Sequence, residues 1–595
     1  MILRVAALAA VAGCAWAVPF VHTPGYLNET RPDPHSTYEI RLVADAAECE
    51  VLRAAWGQRH RLAEKQVYMT SVPEFLNEED GEDSKEDFVQ IFAPTAVSAW
   101  AAAAELCYRG LSNATLDAEP IRLEQKRKQA IEIRPLRESG PSSNRIDVVF
   151  MGDGYTAGER EKMFADMSRL VDDMWGDVTF ASYLPVFNIW ALYEESAESG
   201  IGVNSQPRDT AYRLFRQGTQ LRGIFPGNAQ GARDACALAA GCDYPSIIGN
   251  DPYYGGLGGE FVIATESVTS GTKVLRHEMG HNFVSVGEEY DGGSVYRGVN
   301  SAPNAAAAEE KWNDWLTDQS GEPLRAQESY IRLSQYPWHD LADGPVSFTF
   351  ESDGEQARWL FKFTVSGTPN DGDIVVTLDG EPLDWTGANT LDRTFYTFGD
   401  ENSGLAAGSH TIEFVMGTPP GPGEPIRQVC ALTLHEYAAS FVWDDDYVGA
   451  YPTWSIGMQQ TVRPGNELCL MRNMSSPAFC APCIEGMWHQ FMMRMSLIDG
   501  VDIEYVGEDA RVSLLVVPLG QFREEPIPGI VDRYTVSYTR DGAAQPQFDN
   551  LFVFDVGANL AGEWTAEMVY ETSEVRYDPN NLLTFTYDFT IGGSH

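Results

Sequence analysis

Hydrophobic positions are spaced differently in successive parts of this chain, and the spacing predicts the elements. Tyr38-Glu39-Ile40-Arg41-Leu42-Val43 alternates like a strand, and the Ala-rich run from Trp100 to Leu106 favours helix. Acidic residues 77–87 read as a loop, and Gly140-Pro141-Ser142-Ser143 reads as a linker. The run Arg145-Ile146-Asp147-Val148-Val149-Phe150-Met151 predicts a buried strand, left through the turn Gly152-Asp153-Gly154-Tyr155. Thr156 and Glu159 stand at capping-box spacing, and Met163, Met167, Leu170, Val171 and Met174 then form one core-packing helical stripe. Strands follow at Phe187–Leu192 and Tyr244–Gly249. A glycine-rich turn at 254–259 leads into a short strand, Glu260–Ala264, which would form the edge of a cleft where a peptide can pair by its backbone. Residues Thr272 to Val286 are expected to be a helix.

From Pro345 to Cys430 the period becomes two, with apolar-polar alternation at 346–350, 359–365, 374–378, 395–398 and 411–415 between Gly/Asp/Asn turns. Short strands at that spacing predict a β-sandwich, expected to loop out from the unit that it interrupts. A second β-rich unit runs from Val501 to the end, clearest at 512–517 and 534–538. The chain is therefore expected to be multidomain. An N-terminal α+β unit (18–140) precedes an α/β unit with a mixed sheet (141–344 and 431–500). The sandwich (345–430) is inserted in that unit, and the β-rich unit (501–595) closes the chain.

Composition narrows the partners. Of 595 residues, 44% are hydrophobic and 11% aromatic, enough for ample cores, and the formal net charge is −44. Such acidity argues against a nucleic-acid partner, since phosphates are bound by Lys/Arg clusters. The start, Met1-Ile2-Leu3-Arg4 with an apolar run to Gly13 and Ala15-Trp16-Ala17, is expected to be a signal peptide (1–17) of a secreted protein; a lipid anchor at Cys14 is the alternative. No later run is long and apolar enough for a transmembrane segment. Without Cys14 an even set of cysteines remains. Cys49 with Cys107 and Cys236 with Cys242 are plausible local pairs, and Cys430, Cys469, Cys480 and Cys483 could form two more bridges, whose connectivity the sequence does not fix. The Cys480-Ala481-Pro482-Cys483 spacing also suits redox chemistry or zinc, but structural disulfides are preferred in an exported chain. Asn28, Asn113 and Asn473 begin glycosylation sequons.

The chemistry-bearing stretch is His277-Glu278-Met279-Gly280-His281. On a helix, histidines four apart leave one face and can grip one metal ion, Zn²⁺. Glu278, between them, can take a proton from a metal-activated water without being a ligand. An open catalytic zinc normally keeps three protein ligands. Were the helix to continue, Glu288 would lie about 10 Å along the axis from His281, so the chain must leave it near Ser285–Gly287, with Gly287 free to adopt an unusual conformation. Either Glu288 or Glu289 can then point back. Met471, in Cys469-Leu470-Met471-Arg472, is expected on a tight turn beneath the metal.

Three stretches together carry a resemblance: Asp147 to Thr156, the HEMGH helix continued by Gly287-Glu288-Glu289-Tyr290, and Cys469-Leu470-Met471-Arg472 with Phe479-Cys480-Ala481-Pro482-Cys483. They resemble the IgA-peptidase (igalysin) family of metzincin-like zinc metallopeptidases over roughly 141–340 and 431–500. Where relatives carry Gly-Leu-Ala-Asp-Glu-Tyr, this chain has Ser285-Val286-Gly287-Glu288-Glu289-Tyr290: the glycine has moved and Asp has become Glu. The resemblance implies a metzincin-like catalytic domain acting on protein or peptide substrates. It implies Glu288 as the third metal ligand beside His277 and His281, with Glu289 supporting from behind. The expected function is a secreted zinc-dependent endopeptidase with Glu278 as general base. Two other readings compete: a secreted protein binding glycans, proteins or surface ligands through its β-units, with a vestigial metal site; and a zinc amidase acting on cell-wall peptides.

Overall fold

The structure is a computed structural model. It describes residues 131–592 apart from 177, 218–220, 294–295, 388, 401, 423 and 508, and, before them, the backbone of four strands. Those strands, Ser36–Ala44, Cys49–Arg59, Tyr68–Pro73 and Asp87–Ala93, form one antiparallel sheet, with the alternating Tyr38–Val43 stretch inside the first. The signal peptide, the lipid-anchor alternative, the Cys49–Cys107 pair, the helix at 100–106, the acidic loop and the sequons at Asn28 and Asn113 lie outside the residues or side chains described.

The central unit is built on a six-stranded mixed sheet. Its order is Gly256–Leu257, Val262–Thr265, Tyr244–Gly249, Ile146–Asp153, Phe187–Tyr193 and Glu132–Arg137. The inner four strands are parallel and the two outermost are antiparallel to their neighbours. Ile146–Asp153 is buried along its whole length, as expected of a strand covered on both faces. Glu132–Arg137 precedes the anticipated linker yet hydrogen-bonds into this sheet, so the unit begins before residue 141.

Glu159 reaches back to the Thr156 N–H and hydroxyl, 3.0 and 2.8 Å away, and starts the helix Arg160–Trp175 through one 3₁₀ turn. That helix buries its Met163–Met174 stripe completely. Gly154 has φ +77°, and a Cβ there would lie 2.4 Å from the Gly200 carbonyl oxygen, so the turn after the first strand requires glycine. Asp153 is structural: its carboxylate accepts from the Tyr212 and Leu214 N–H groups and the Thr210 hydroxyl at 2.6–2.9 Å.

Two all-β units complete the fold. The sandwich stacks an antiparallel sheet of Ser329–Gln335, Gln428–Tyr437, Arg358–Ser366 and Thr394–Asp400 on one of Val346–Ser352, Gly408–Met416, Ile374–Leu378 and Glu381–Pro382. Its own core includes Phe361, Phe363, Val376, Ile412, Phe414 and Leu432. Its strands extend beyond the expected 345–430 at both ends, because Ser329–Gln335 and Gln428–Tyr437 pair with each other. The C-terminal unit, from Ile498 on, shares one continuous core with the helix Ala481–Arg494 and with the central sheet.

The sandwich does not loop out. Asp392 lies 4% exposed, accepting from the Ser267 and Ser270 hydroxyls at 2.6 Å and from the Tyr254 N–H at 2.5 Å. Lys362 pairs with Glu467, and His435 Nε2 stands 2.9 Å from Asp291 Oδ2. Alternation could not reveal this docking, since a polar sheet face looks the same whether it meets water or a polar wall.

Candidate metal centre

The helix that carries the two histidines is Gly271–Phe283, shorter at its end than the expected Thr272–Val286. Phe283 anchors it in an aromatic nest, its ring centroid 4.8–5.3 Å from those of Phe180, Phe187, Tyr244 and Phe491. Val284 is already extended (φ −148°, ψ 151°), so the chain leaves the helix before Ser285. The expected role of Gly287 does not hold either: the left-handed glycines of the following loop are Gly292 and Gly298. The Asn300 side chain fixes the loop, accepting from the Gly287 N–H at 2.7 Å and donating to the Gly287 carbonyl at 2.8 Å.

This exit swings Glu288 back over the helix. Its Oε1 lies 3.2 Å from His281 Nε2 and its Oε2 lies 3.3 Å from His277 Nε2. One donor atom from each of the three residues falls within 4.8 Å of the others, and all three are buried. His281 Nδ1 sits 3.2 Å from the Val286 carbonyl; donating to it leaves the Nε2 lone pair facing Glu288. Burial opposes charge on His277, but the Glu288 carboxylate outweighs it and raises its pKa to about 9. Burial likewise works against the Glu288 anion, and the two histidines hold its pKa at about 2. The cluster thus favours a positive charge among its donors. Two imidazoles, one carboxylate and a buried Glu288 Oε2 without a hydrogen bond fit a zinc ion.

Met471 is fully buried beneath the helix, its Sδ 3.4 Å from where a Cβ on Gly280 would sit. Its carbonyl accepts from the Glu289 N–H at 3.0 Å, joining the methionine turn to the ligand loop. Arg472 completes the joint, with Nη1 2.9 Å from the Glu289 carbonyl and 2.6 Å from Asp291 Oδ2. The expected place of Met471 therefore matches the structure.

Glu278 opens onto a cleft of about 270 Å³. Its Oε2 is buried without a hydrogen-bond partner, and burial raises its pKa. The cleft has two walls. Tyr254, Leu257, Gly258 and Tyr290 come from the central unit, whereas Trp338, Lys362, Thr364 and Arg393 come from the sandwich and the segment leading into it. Arg393 stacks over both Tyr254 and Trp338, at 4.2 and 4.5 Å from the ring centroids. The sandwich wall escaped the sequence reading because these residues belong to no motif. The edge also differs from expectation: Val262–Thr265 is covered by Gly256–Leu257, so the glycine-rich turn itself supplies the antiparallel edge.

The cysteines divide. Cys236 and Cys242 form the expected disulfide, but Cys430, Cys469, Cys480 and Cys483 are free thiols, contrary to the two further bridges. Cys430 sits apart on a sandwich strand, its Sγ 3.8 Å from the Gln428 carbonyl. The other three converge with Glu289, which leaves an odd number of thiols at that place.

Residues 134–332 match the family model described as IgA Peptidase M64, which supports assignment to the IgA-peptidase family that the motifs resemble. The match spans about one third of the chain and holds His277, Glu278, His281 and Glu288. It supports reading this region as that of a peptidase, a class that acts on protein substrates. No curated protein matches the sequence. A GH2 beta-galacturonidase from Eisenbergiella tayi is 9% identical, over 46% of this chain and 44% of its own, with a TM-score of 0.13. A Lactobacillus rhamnosus beta-glucuronidase is 11% identical, over 50% and 39%, with a TM-score of 0.09. The chain thus covers less than half the length of either, and at these scores neither informs fold or function. Among the described residues no helix is long and apolar enough to cross a membrane.

Proposed function

We propose that this protein is a secreted, metzincin-like zinc endopeptidase with His277, His281 and Glu288 as metal ligands and Glu278 as general base. The observation that carries the reading is the placement of Glu278. It stands between the two histidines, opens onto the cleft, and keeps one carboxylate oxygen free of any hydrogen bond among the described residues. A purely structural metal site needs no such group. When bound, zinc supplies Lewis acidity, which acidifies water and polarises a carbonyl.

The chain's own residues do the rest. Glu278 Oε2 accepts the proton of the attacking water and later delivers it to the leaving amine; burial, by raising its pKa, suits it to both. The Val286 carbonyl, accepting from His281 Nδ1–H, holds that ring with its Nε2 turned toward the site. Tyr290, whose ring centroid is 6.4 Å from that of His277, walls the cleft with a hydroxyl that burial keeps protonated, so it can only donate or accept as a neutral group. A peptide laid along Leu257–Gly258 passes Glu278 between the two walls. The reading is tested with Glu278→Gln, which should keep zinc and fold while lowering turnover on the order of 10²–10⁴-fold. Turnover within a few-fold of wild type would contradict it.

A further inference from the structure

The convergence of Glu289, Cys469, Cys480 and Cys483 is unexplained by peptide hydrolysis. The three thiols and the carboxylate are buried, and one ligand atom from each lies within 4.8 Å of all the others. Cys480 Sγ is 3.4 Å from Cys483 Sγ and 3.7 Å from Glu289 Oε1. Four ligands arranged tetrahedrally around zinc, with Zn–S near 2.3 Å, would sit about 3.7 Å apart. Glu289 Oε1 also accepts from Asn300 Nδ2 at 2.8 Å, whereas Oε2 is buried without a hydrogen bond. An unpartnered carboxylate oxygen among three thiols is costly unless something positive lies between them.

Disulfides do not resolve the arrangement. Among the described residues three thiols leave one over, and Cys430 lies on a sandwich strand outside the cluster. Cys480 is the N-cap of the helix Ala481–Arg494 and Cys483 lies in its first turn, at the positive end of the helix dipole. Arg472 donates to the Glu289 backbone carbonyl and so fixes the loop that carries this carboxylate.

We propose that Glu289, Cys469, Cys480 and Cys483 form a second, closed metal site for a thiophilic divalent cation, zinc above all. Binding ionises the three thiols and releases their protons, and all four positions are filled by protein, as in structural rather than catalytic sites. The ion would fasten three separate segments: the loop just after Glu288, the turn two residues before Met471, and the start of Ala481–Arg494. It therefore stands behind the catalytic site without opening onto the cleft.

The test is metal analysis of the full chain, purified without added metal, as wild type, His277→Ala/His281→Ala and Cys480→Ser/Cys483→Ser. Two zinc equivalents in wild type and one in each double variant are expected. Wild type and the histidine variant, refilled with Co²⁺, should both show a thiolate-to-cobalt charge-transfer band that the cysteine variant lacks. A single equivalent in wild type that disappears in the histidine variant would overturn the proposal. So would a Cys480–Cys483 disulfide in non-reducing peptide mapping, or no charge-transfer band in the cobalt-loaded wild type. If the cysteine variant does not fold, the other two proteins still decide. None of these readouts depends on peptidase activity, so they stand or fall apart from the catalytic reading.

Discussion

Glu288 and Glu289 are adjacent in sequence and serve opposite clusters. The Glu288 carboxylate lies 3.2–3.3 Å from the Nε2 atoms of His281 and His277, while Glu289 Oε1 accepts from Asn300 at 2.8 Å beside the Cys480 thiol. The loop between them is pinned at Glu289, whose N–H bonds the Met471 carbonyl at 3.0 Å, so its side chain turns to Asn300 while that of Glu288 turns to the histidines. The ligand loop is thereby held from both faces.

Substitution should separate the two roles. Loss of a partner that only orients a ligand costs about 10–100-fold in metal affinity. Glu288→Ala is expected to exceed that range at the histidine pair, while Glu289→Ala stays within it. Zinc titration against a competing chelator, with the catalytic site followed by the histidine signals, measures the difference. Equal losses would assign the two carboxylates to one site.

Asp392 should tie the sandwich to the metal helix. Asp392→Ala leaves the Ser267 and Ser270 hydroxyls and the Tyr254 N–H without their acceptor, at a cost of about 2–4 kcal/mol. Chemical denaturation should show that loss, with a higher KM because Arg393, on the next residue, stacks in the cleft wall. For the same reason, replacing 345–430 by a short linker should abolish activity on small peptides as well as large ones. An active deletion variant would show that the sandwich wall is dispensable.

How far this was legible follows from particular residues. His277 and His281 stood out because helical spacing alone puts them on one face, Glu278 because it sits beside the first of them, and Met471 because a tight turn beneath the metal would explain why distant chain returns there. Glu288 needed the family resemblance, since spacing left Glu289 equally able to point back. The helix end was misplaced because Phe283 stops it through tertiary packing with Phe180, Phe187, Tyr244 and Phe491, none of them near in sequence. The sandwich strands were plain from their alternation, but Lys362 and Thr364 alternate with core residues whether they face solvent or the cleft. The cysteines were misread for a similar reason: C-x-x-C spacing fits a bridge or a metal equally, and only the approach of Cys469 and Glu289 distinguishes them.

A pH effect is expected away from the metal. Asp147 is buried in the central sheet, and burial first, then the Asp243 charge, pushes its pKa up to about 6. The folded value exceeds the unfolded one of about 3.9. Its contribution is therefore full below the unfolded value and is lost as pH rises through 6. Asp147→Asn keeps an acceptor for Trp190 Nε1, now 2.7 Å from Oδ1, and removes the charge. It should raise stability by about 1–3 kcal/mol at pH 8, with the gain shrinking as pH falls from 6 to 4. Thermal melts of both proteins across that range check the sign; a gain that grows in acid would contradict the assignment.

The central claim, zinc-dependent endopeptidase activity, is tested most directly by incubating the metal-loaded full chain with a diverse peptide pool and reading the products by mass spectrometry. The account predicts cleavage at internal bonds, abolished by a chelator and restored by zinc. Cleavage that persists in chelator, or no cleavage of any peptide by protein shown to hold zinc at His277 and His281, would contradict it.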